Sequence, residues 1–380
     1  MKKTKVAIVR GAFLNAYEMQ SFEPLIGRYD LTAFGTHTSF QSNFKFPTKT
    51  LFSPMDLSCG AGSRFARPIL NRLFVDAHCL FGLKNALSGF DIVHTAETYY
   101  RYTQQALDAK KEGKVKKVIA TVLENIPHNN EGIWGRKEYK KRSREELDHI
   151  IALTHKTKDA LILEGADERK ITVIGHGVDV SRFSPHQRNM QSNMPLVVLF
   201  SGRLEYTKGI DDVLAVVRLF ASDNKVRNCV KFQIVGDGSL SFAVDQTIRE
   251  LPVGFLERKP QVEYNDMQGI YREADIVIAP SKPTKSWDEQ YCTVLLEAQA
   301  MGLPIVTTNT GGIPENVGDA AILVKPGNTR GLFEGVRKFV DSKVLRSIYG
   351  EKARKRALAI HDARVISDKI AGLYEKILSS

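Results

Sequence analysis

Two stretches of this chain carry charged side chains at spacings that suit anionic and polyhydroxyl ligands. The first is Ser201-Gly202-Arg203-Leu204-Glu205-Tyr206-Thr207-Lys208-Gly209, directly after the apolar run Leu196–Phe200. Behind it, Val213, Leu214, Val216, Val217 and Phe220 recur at helical spacing, with Asp211 and Asp212 in the first turn. Two cations in a glycine-punctuated loop can converge on one phosphate group, and free N–H groups at the helix start add to the cradle. The pattern is not GxxxxGK[ST], and an ordinary strand-to-helix turn with solvated charges is the competing reading.

The second stretch is Glu289-Gln290-Tyr291-Cys292-Thr293-Val294-Leu295-Leu296-Glu297, after the apolar run Ile276–Ala279 and a polar loop. A helix is predicted to start near Cys292 or Thr293. Glu289 then sits in the preceding loop, and Glu297 lies more than one turn into the helix, facing the same crevice. Two such carboxylates can each accept hydrogen bonds from vicinal hydroxyls, while the helix N-terminus meets a phosphate between them. Glu297 interrupts an apolar run, which predicts burial with a partner.

These loops need strands to hold them. Short apolar runs recur at Val6–Val9, Leu31–Phe34, Ile92–His94, Val118–Thr121, Ile150–Leu153 and Ile171–Ile174. They continue at Leu196–Phe200, Val230–Val235, Ile276–Ala279, Pro304–Thr307 and Ala321–Val324. Continuous apolar strands alternating with helical patterns imply parallel sheets covered on both faces. Two series in 380 residues imply an α/β architecture of two doubly wound domains facing each other across a cleft. The polar segment Ser184–Asn193 reads as the linker. Ligands are expected just beyond the carboxyl ends of the strands. His94 and Glu97 stand at such an end, with Tyr99 near them, and Gly11 closes the first run. Gly11-Ala12-Phe13 is not the dinucleotide fingerprint, which argues against a nicotinamide enzyme. Gly236-Asp237-Gly238 reads as a turn lining the nucleotide side. No DxD and no metal-ligand set is present.

Charge is unevenly placed. Residues 1–190 hold 29 Lys/Arg against 20 Asp/Glu, and residues 191–380 hold 25 against 23. The clusters Lys110 to Lys117 and Arg136 to Arg144 account for much of the excess. They read as solvated faces, as a site for an anionic acceptor, or as contact with an anionic membrane. Nucleic acid is disfavoured, because neither cluster has interleaved aromatics. The stretch Arg64 to Leu87 is amphipathic, fitting either a helix packed on its own sheet or one docked on a membrane surface. Cys59, Cys79, Cys229 and Cys292 have no metal or CxxC spacing, which fits a reducing cytoplasm. No run of apolar residues is long enough to span a bilayer.

The two chemical stretches together, Gly-Arg-Leu-x3-Lys-Gly, then Glu-x7-Glu, then Ala-x-Gly-x-Pro-x-Val, resemble glycosyltransferase family 4. Ala274–Ser281, Gly311-Gly312-Ile313-Pro314-Glu315, and Gly177-Val178-Asp179 with Phe183 and Pro185 extend the resemblance from Ile150 to Lys325. The first half matches only in layout. The resemblance implies the GT-B fold, with an acceptor domain at 1–183 completed by a returning helix at 361–380, and a donor domain at 194–360. It implies a retaining transfer from a nucleoside-diphosphate sugar to an acceptor hydroxyl, on a glycan or lipid-linked saccharide, with no metal or other cofactor. Arg203 and Lys208 would bind the diphosphate, Glu289 the sugar and Glu297 the ribose. Gly202, Gly236, Gln290, Tyr291, Cys292 and Thr293 would line the donor site.

Two departures stand out. The family often has Glu-Gly-Phe-Gly where this chain has Glu289-Gln290-Tyr291-Cys292, and a larger residue at 292 narrows the pocket beside the phosphate. Many relatives also place a His after the fourth strand, where this chain has Thr121-Val122-Leu123-Glu124-Asn125-Ile126-Pro127-His128; Glu124 or His128 would take that place. The resemblance leaves a cytoplasmic enzyme, at the inner membrane face if the basic half docks there. A nucleotide-sugar epimerase and a non-catalytic sugar-nucleotide sensor are the other readings of the same residues.

Overall fold

A computed structural model describes residues 3–39, 44–58, 75–186 and 194–380. Cys59, residues 64–74 of the amphipathic stretch and residues 187–193 of the polar linker lie outside these ranges. Among the described residues the first sheet contains β1 (Thr4–Gly11), β2 (Tyr29–Gly35), β3 (Thr48–Thr50), β4 (Phe90–Ala96), β5 (Val115–Val122), β6 (His149–Ala152) and β7 (Ile171–Val173). Their spatial order is β3-β2-β1-β4-β5-β6-β7, all parallel. The second sheet contains β8 (Leu196–Ser201), β9 (Val230–Val235), β10 (Leu256–Lys259), β11 (Ile276–Ala279), β12 (Ile305–Thr308) and β13 (Ala321–Val324). Its order is β10-β9-β8-β11-β12-β13, again all parallel. Each order reverses once, between β1 and β4 and between β8 and β11, and ligands of such sheets bind at that reversal.

Every predicted apolar run is a strand. β3 and β10 have no counterpart among them, because Thr48-Lys49-Thr50 and Leu256-Glu257-Arg258-Lys259 lie at sheet edges, half open to water, and are polar accordingly. One face of the first sheet packs Val9, Val93, Val118 and Ala120 against Tyr102, Ala106 and Leu107 of the helix Arg101–Lys111. The other packs Val6, Ile8, Ile92 and Ile119 against Ile366, Ile370, Tyr374 and Ile377 of the last helix, Ala363–Ser379. Each such side chain contributes roughly 1.5–3 kcal/mol when fully buried, which ties the C-terminal helix to this sheet. In the second sheet, Val198, Phe200, Phe232 and Ile234 pack with Val213, Val217 and Phe220 of the helix Ile210–Ser222.

The chain divides into two compact units, Met1–Gly177 with Ala363–Ser380, and Val178–Asp362. The first crossing therefore lies upstream of the boundary expected at Phe183. Phe183 is buried against Tyr264 and Tyr271. Arg354 donates to the carbonyls of Val180 and Phe183 at 3.1 and 3.0 Å. These contacts bind Val178–Phe183 to the second unit, and Val178 also donates to the His361 carbonyl at 2.7 Å.

The basic clusters of the first unit are largely paired inside it. Lys110 and Lys117 face Asp148, Lys114 faces Glu112 and Lys116 faces Asp91. Arg136 meets Asp76, Lys140 and Arg144 meet Glu164, and Arg142 meets Asp108 and Glu146. Arg136 and Lys140 are buried, while Lys137 and Lys141 of the same cluster are exposed. Among the described residues no helix is long and apolar enough to cross a membrane.

Candidate functional site

In the second unit the predicted chemistry gathers at the reversal between β8 and β11. The loop after β8 ends in a short turn, Tyr206–Lys208, and Gly209 (φ +70°) starts the helix Ile210–Ser222. The segment after β11 is fastened to it. Lys282 donates its backbone N–H to the Thr207 carbonyl at 2.8 Å, and its ammonium pairs with Asp211 and Asp212 while lying 3.9 Å from the centre of the Tyr206 ring. With the two loops joined, Lys208 Nζ stands 2.6 Å from Glu289 Oε2, which also accepts from the Ser281 hydroxyl. Trp287 completes the group, its ring centre 5.1 Å from the Lys208 ammonium.

The backbone of Glu289 is clamped. Its N–H donates to Asp288 Oδ1 at 2.8 Å, and that oxygen also accepts from Thr310 Oγ1 at 2.8 Å. Its carbonyl accepts from the Gly312 N–H at 2.8 Å. Gly311 (φ +56°) passes so close that a Cβ there would stand 1.9 Å from the Glu289 carbonyl oxygen. The Gly311-Gly312 pair thus serves this site through its backbone alone.

Arg203 is exposed and makes no side-chain pair among the described residues, so its guanidinium is open to an anion. Gly202 and Gly236 lie in two loops laced together, Gly202 N–H to the Val235 carbonyl at 3.0 Å and Leu204 N–H to the Asp237 carbonyl at 2.9 Å. Gln290 and Thr293 are half-buried. The helix Thr293–Ala300 begins after Cys292, which holds φ +57°. That left-handed backbone gives the family's glycine at this place its physical reason. Burial, then the charge of Glu289, pushes the Cys292 thiol up to about 12, so it stays protonated and is no nucleophile.

One donor-side expectation needs correcting. The Tyr291 ring does not line the site: it is buried, with its hydroxyl 3.3 Å from His361 Nδ1 and its ring edge-on to that imidazole. An aromatic ring flanked by apolar helix neighbours finds its burial inside the unit. Glu297 is buried with a partner, as its place in an apolar run predicts: the Tyr271 hydroxyl donates to it at 2.7 Å. Burial raises Glu297 to about 7, against the hydrogen bonds of Tyr271 and Tyr264.

In the first unit, Gly11 closes β1 at φ +55°. His94 is corrected as well. It is fully buried, with Nδ1 2.7 Å from the Tyr374 hydroxyl and Nε2 2.7 Å from Thr121 Oγ1, so the imidazole is a satisfied interior group. Burial and then Arg10 hold its pKa well below the usual histidine range. Tyr99 is buried beneath the Arg136 guanidinium, 5.0 Å from its ring centre.

Glu97 and Glu124 do come together. Glu97 Oε1 accepts from the N–H groups of Leu123 and Glu124 at 2.9 and 3.2 Å, on a backbone at φ +58°. Burial, then the neighbouring Glu124, pushes Glu97 up to about 8, so it carries a proton at neutral pH. Glu124 accepts from Ile126 N–H and from the side chains of Asn129 and Asn130. His128 points its ring to Glu131 at 3.3 Å and is largely exposed.

Ser281, Lys282, Trp287 and Asp288 belong to the second-unit site without any local signal of their own. Lys282 meets its aspartates across 71 residues and Lys208 meets Glu289 across 81.

The family model for glycosyl transferases group 1 matches residues 182–356, and that for glycosyltransferase family 4 matches residues 53–182. The glycogen synthase of Mycobacterium tuberculosis is 27% identical over 233 residues, covering 60% of this chain and 54% of the relative. The capsular polysaccharide biosynthesis glycosyltransferase CapM of Staphylococcus aureus is 26% identical over 246 residues, covering 60% of this chain and 62% of the relative. The matches thus span little more than half the length of the relatives. Among solved structures, Anabaena HepE in complex with UDP and glucose aligns over 98% of this chain and 100% of that one, with TM-score 0.73 and 15% identity. The fold is GT-B. The chain belongs to the glycosyltransferases of the family 4 type.

Proposed function

We propose that the protein transfers a sugar from a nucleoside-diphosphate sugar to an acceptor hydroxyl, with retention of anomeric configuration, in the synthesis of a polysaccharide or related glycan. The observation that carries this reading is the cluster of Lys208, Ser281 and Glu289 at the β8–β11 reversal, with the exposed Arg203 on the same loop as Lys208. Arg203, Lys208 and the N–H groups at the start of Thr293–Ala300 stabilise charge developing on the departing diphosphate, and no metal is required for that role. Lys208 then shifts from Glu289 toward phosphate, and the freed Glu289 carboxylate accepts the sugar hydroxyls. Glu297 holds the ribose. The acceptor hydroxyl attacks from the face the diphosphate leaves, which takes its proton. The net positive excess of residues 1–190 remains after these pairings, and an anionic acceptor or an anionic membrane surface is the partner class to test against it. A cytoplasmic setting fits the free thiols of Cys79, Cys229 and Cys292.

Thermal unfolding with UDP, GDP, ADP, dTDP, CMP and NAD tests the donor site. UDP comes first, as the nucleotide in the HepE complex. Ligand at about 100 times its dissociation constant adds about 2.7 kcal/mol of stability. A shift with one nucleoside diphosphate, lost in Lys208→Ala, is expected. A shift with NAD alone, indifferent to Lys208, would overturn the reading.

A pH dependence follows from Glu297. Above its pKa of about 7 the carboxylate is ionised and accepts strong, charge-assisted hydrogen bonds from the ribose hydroxyls; below it the carboxyl is protonated, one oxygen turns donor and the remaining bonds weaken. Nucleoside affinity should fall as pH drops from 8 to 6, and Glu297→Gln should flatten the profile. Uridine, whose lack of phosphate removes a second titration, is the probe; a profile unchanged in Glu297→Gln would dismiss the ribose role.

A further inference from the structure

Trp287 is one of two tryptophans in the chain, and no motif draws attention to it. Its position is fixed from both sides. On the amino-terminal side, the Thr284 N–H closes a turn onto the Trp287 carbonyl at 2.7 Å, and buried Lys282 holds the start of the segment on Thr207, Asp211 and Asp212. On the carboxyl-terminal side, Asp288 is held by Thr310 and Glu289 is clamped by Gly312. The half-buried indole is thereby presented to the Lys208 ammonium at 5.1 Å, while Glu289 engages the same ammonium at 2.6 Å.

Lys208 therefore has two resident partners of different kinds. A carboxylate that must also serve a sugar can exchange its hydrogen bond when the donor enters. An aromatic face cannot compete for hydroxyls or phosphate, and it attracts a cation whatever its other contacts. A lysine on a four-carbon stem with rotatable donors needs such a seat more than an arginine does.

We infer that Trp287 is a positioning residue of the donor site, whose indole face holds the Lys208 ammonium in place while it passes from Glu289 to the donor diphosphate. The inference rests on the donor-site reading above and adds to it the group that keeps the cation aimed.

The test uses graded fluorination of tryptophan, which weakens the ring's attraction for a cation while keeping its shape. In the full-length Trp134→Phe variant, Trp287 is the sole tryptophan; Trp134 is 76% exposed and lies in the other unit. The protein is produced with tryptophan, monofluoro-, difluoro- and trifluorotryptophan. Dissociation constants are measured for UDP, GDP, ADP and dTDP, beside Lys208→Ala. Affinity for the nucleoside diphosphate that binds should fall stepwise with fluorine number, reaching roughly 2- to 30-fold. Trp287→Phe should retain more affinity than Trp287→Leu. A structural role for the ring would give the same constant across the fluorinated series, and that result overturns the inference while the donor site stands. Tightening with fluorination also overturns it, since the ring would then be competing with the diphosphate. If no nucleoside diphosphate binds, or binding ignores Lys208→Ala, the donor-site reading fails and the inference with it.

Discussion

Lys208→Ala is expected to lower turnover of the nucleotide sugar by roughly 10²–10³-fold, the usual loss when one preorganised donor to a developing charge is removed. The reason lies in how few cations can reach the leaving group. Arg203 is exposed to water, whereas Lys208 is held by Glu289 and Trp287. The same truncation leaves the Glu289 carboxylate, only 5% exposed, without the Lys208 ammonium, while the Ser281 hydroxyl still donates to it. A buried charge without its counter-ion destabilises its surroundings, so activity and folding must be separated. Nucleoside diphosphate release with saturating donor, followed beside the unfolding temperature, does this. The double variant Lys208→Met, Glu289→Gln removes both charges; it should recover stability and not turnover. Turnover of Lys208→Ala near the wild-type rate would end the phosphate role.

Gly311→Ala is expected to abolish nucleotide-induced stabilisation and to lower the unfolding temperature. Holding a non-glycine residue at φ +56° costs roughly 1–3 kcal/mol, before any contact is counted. Here a contact is also unavoidable, because the new Cβ would stand 1.9 Å from the Glu289 carbonyl oxygen. The backbone that presents Glu289 to Lys208 has to move. Gly327→Ala is the control, since Gly327 has φ +76° with nothing within 4 Å of a Cβ. It bears the backbone cost alone and should keep full nucleotide stabilisation. Equal behaviour of the two variants would show that the close approach at Gly311 does not hold Glu289 in place.

Much of this molecule was legible from local sequence. A parallel strand covered on both faces must be apolar throughout, so Val6–Val9 or Ile276–Ala279 announces itself without reference to anything distant. The loop proposed to face phosphate is legible for a similar reason: Arg203, Lys208 and the helix start lie within one short stretch of the chain. What only the tertiary structure decided concerns pairings over long separations. His94 looks like a cleft residue by its place at a strand end, yet Tyr374, 280 residues away, caps it and makes it interior. The basic run Arg136 to Arg144 looks like an anion-seeking surface, yet Arg136, Lys140 and Arg144 are taken up by Asp76 and Glu164 within their own unit. Tyr291 sits in the motif and turns its ring to His361, 70 residues on. Whether an apolar run is buried is decided by its own composition, because the hydrophobic effect is non-directional. Whether a charge or an imidazole is free to meet a ligand depends on which distant group already satisfies it.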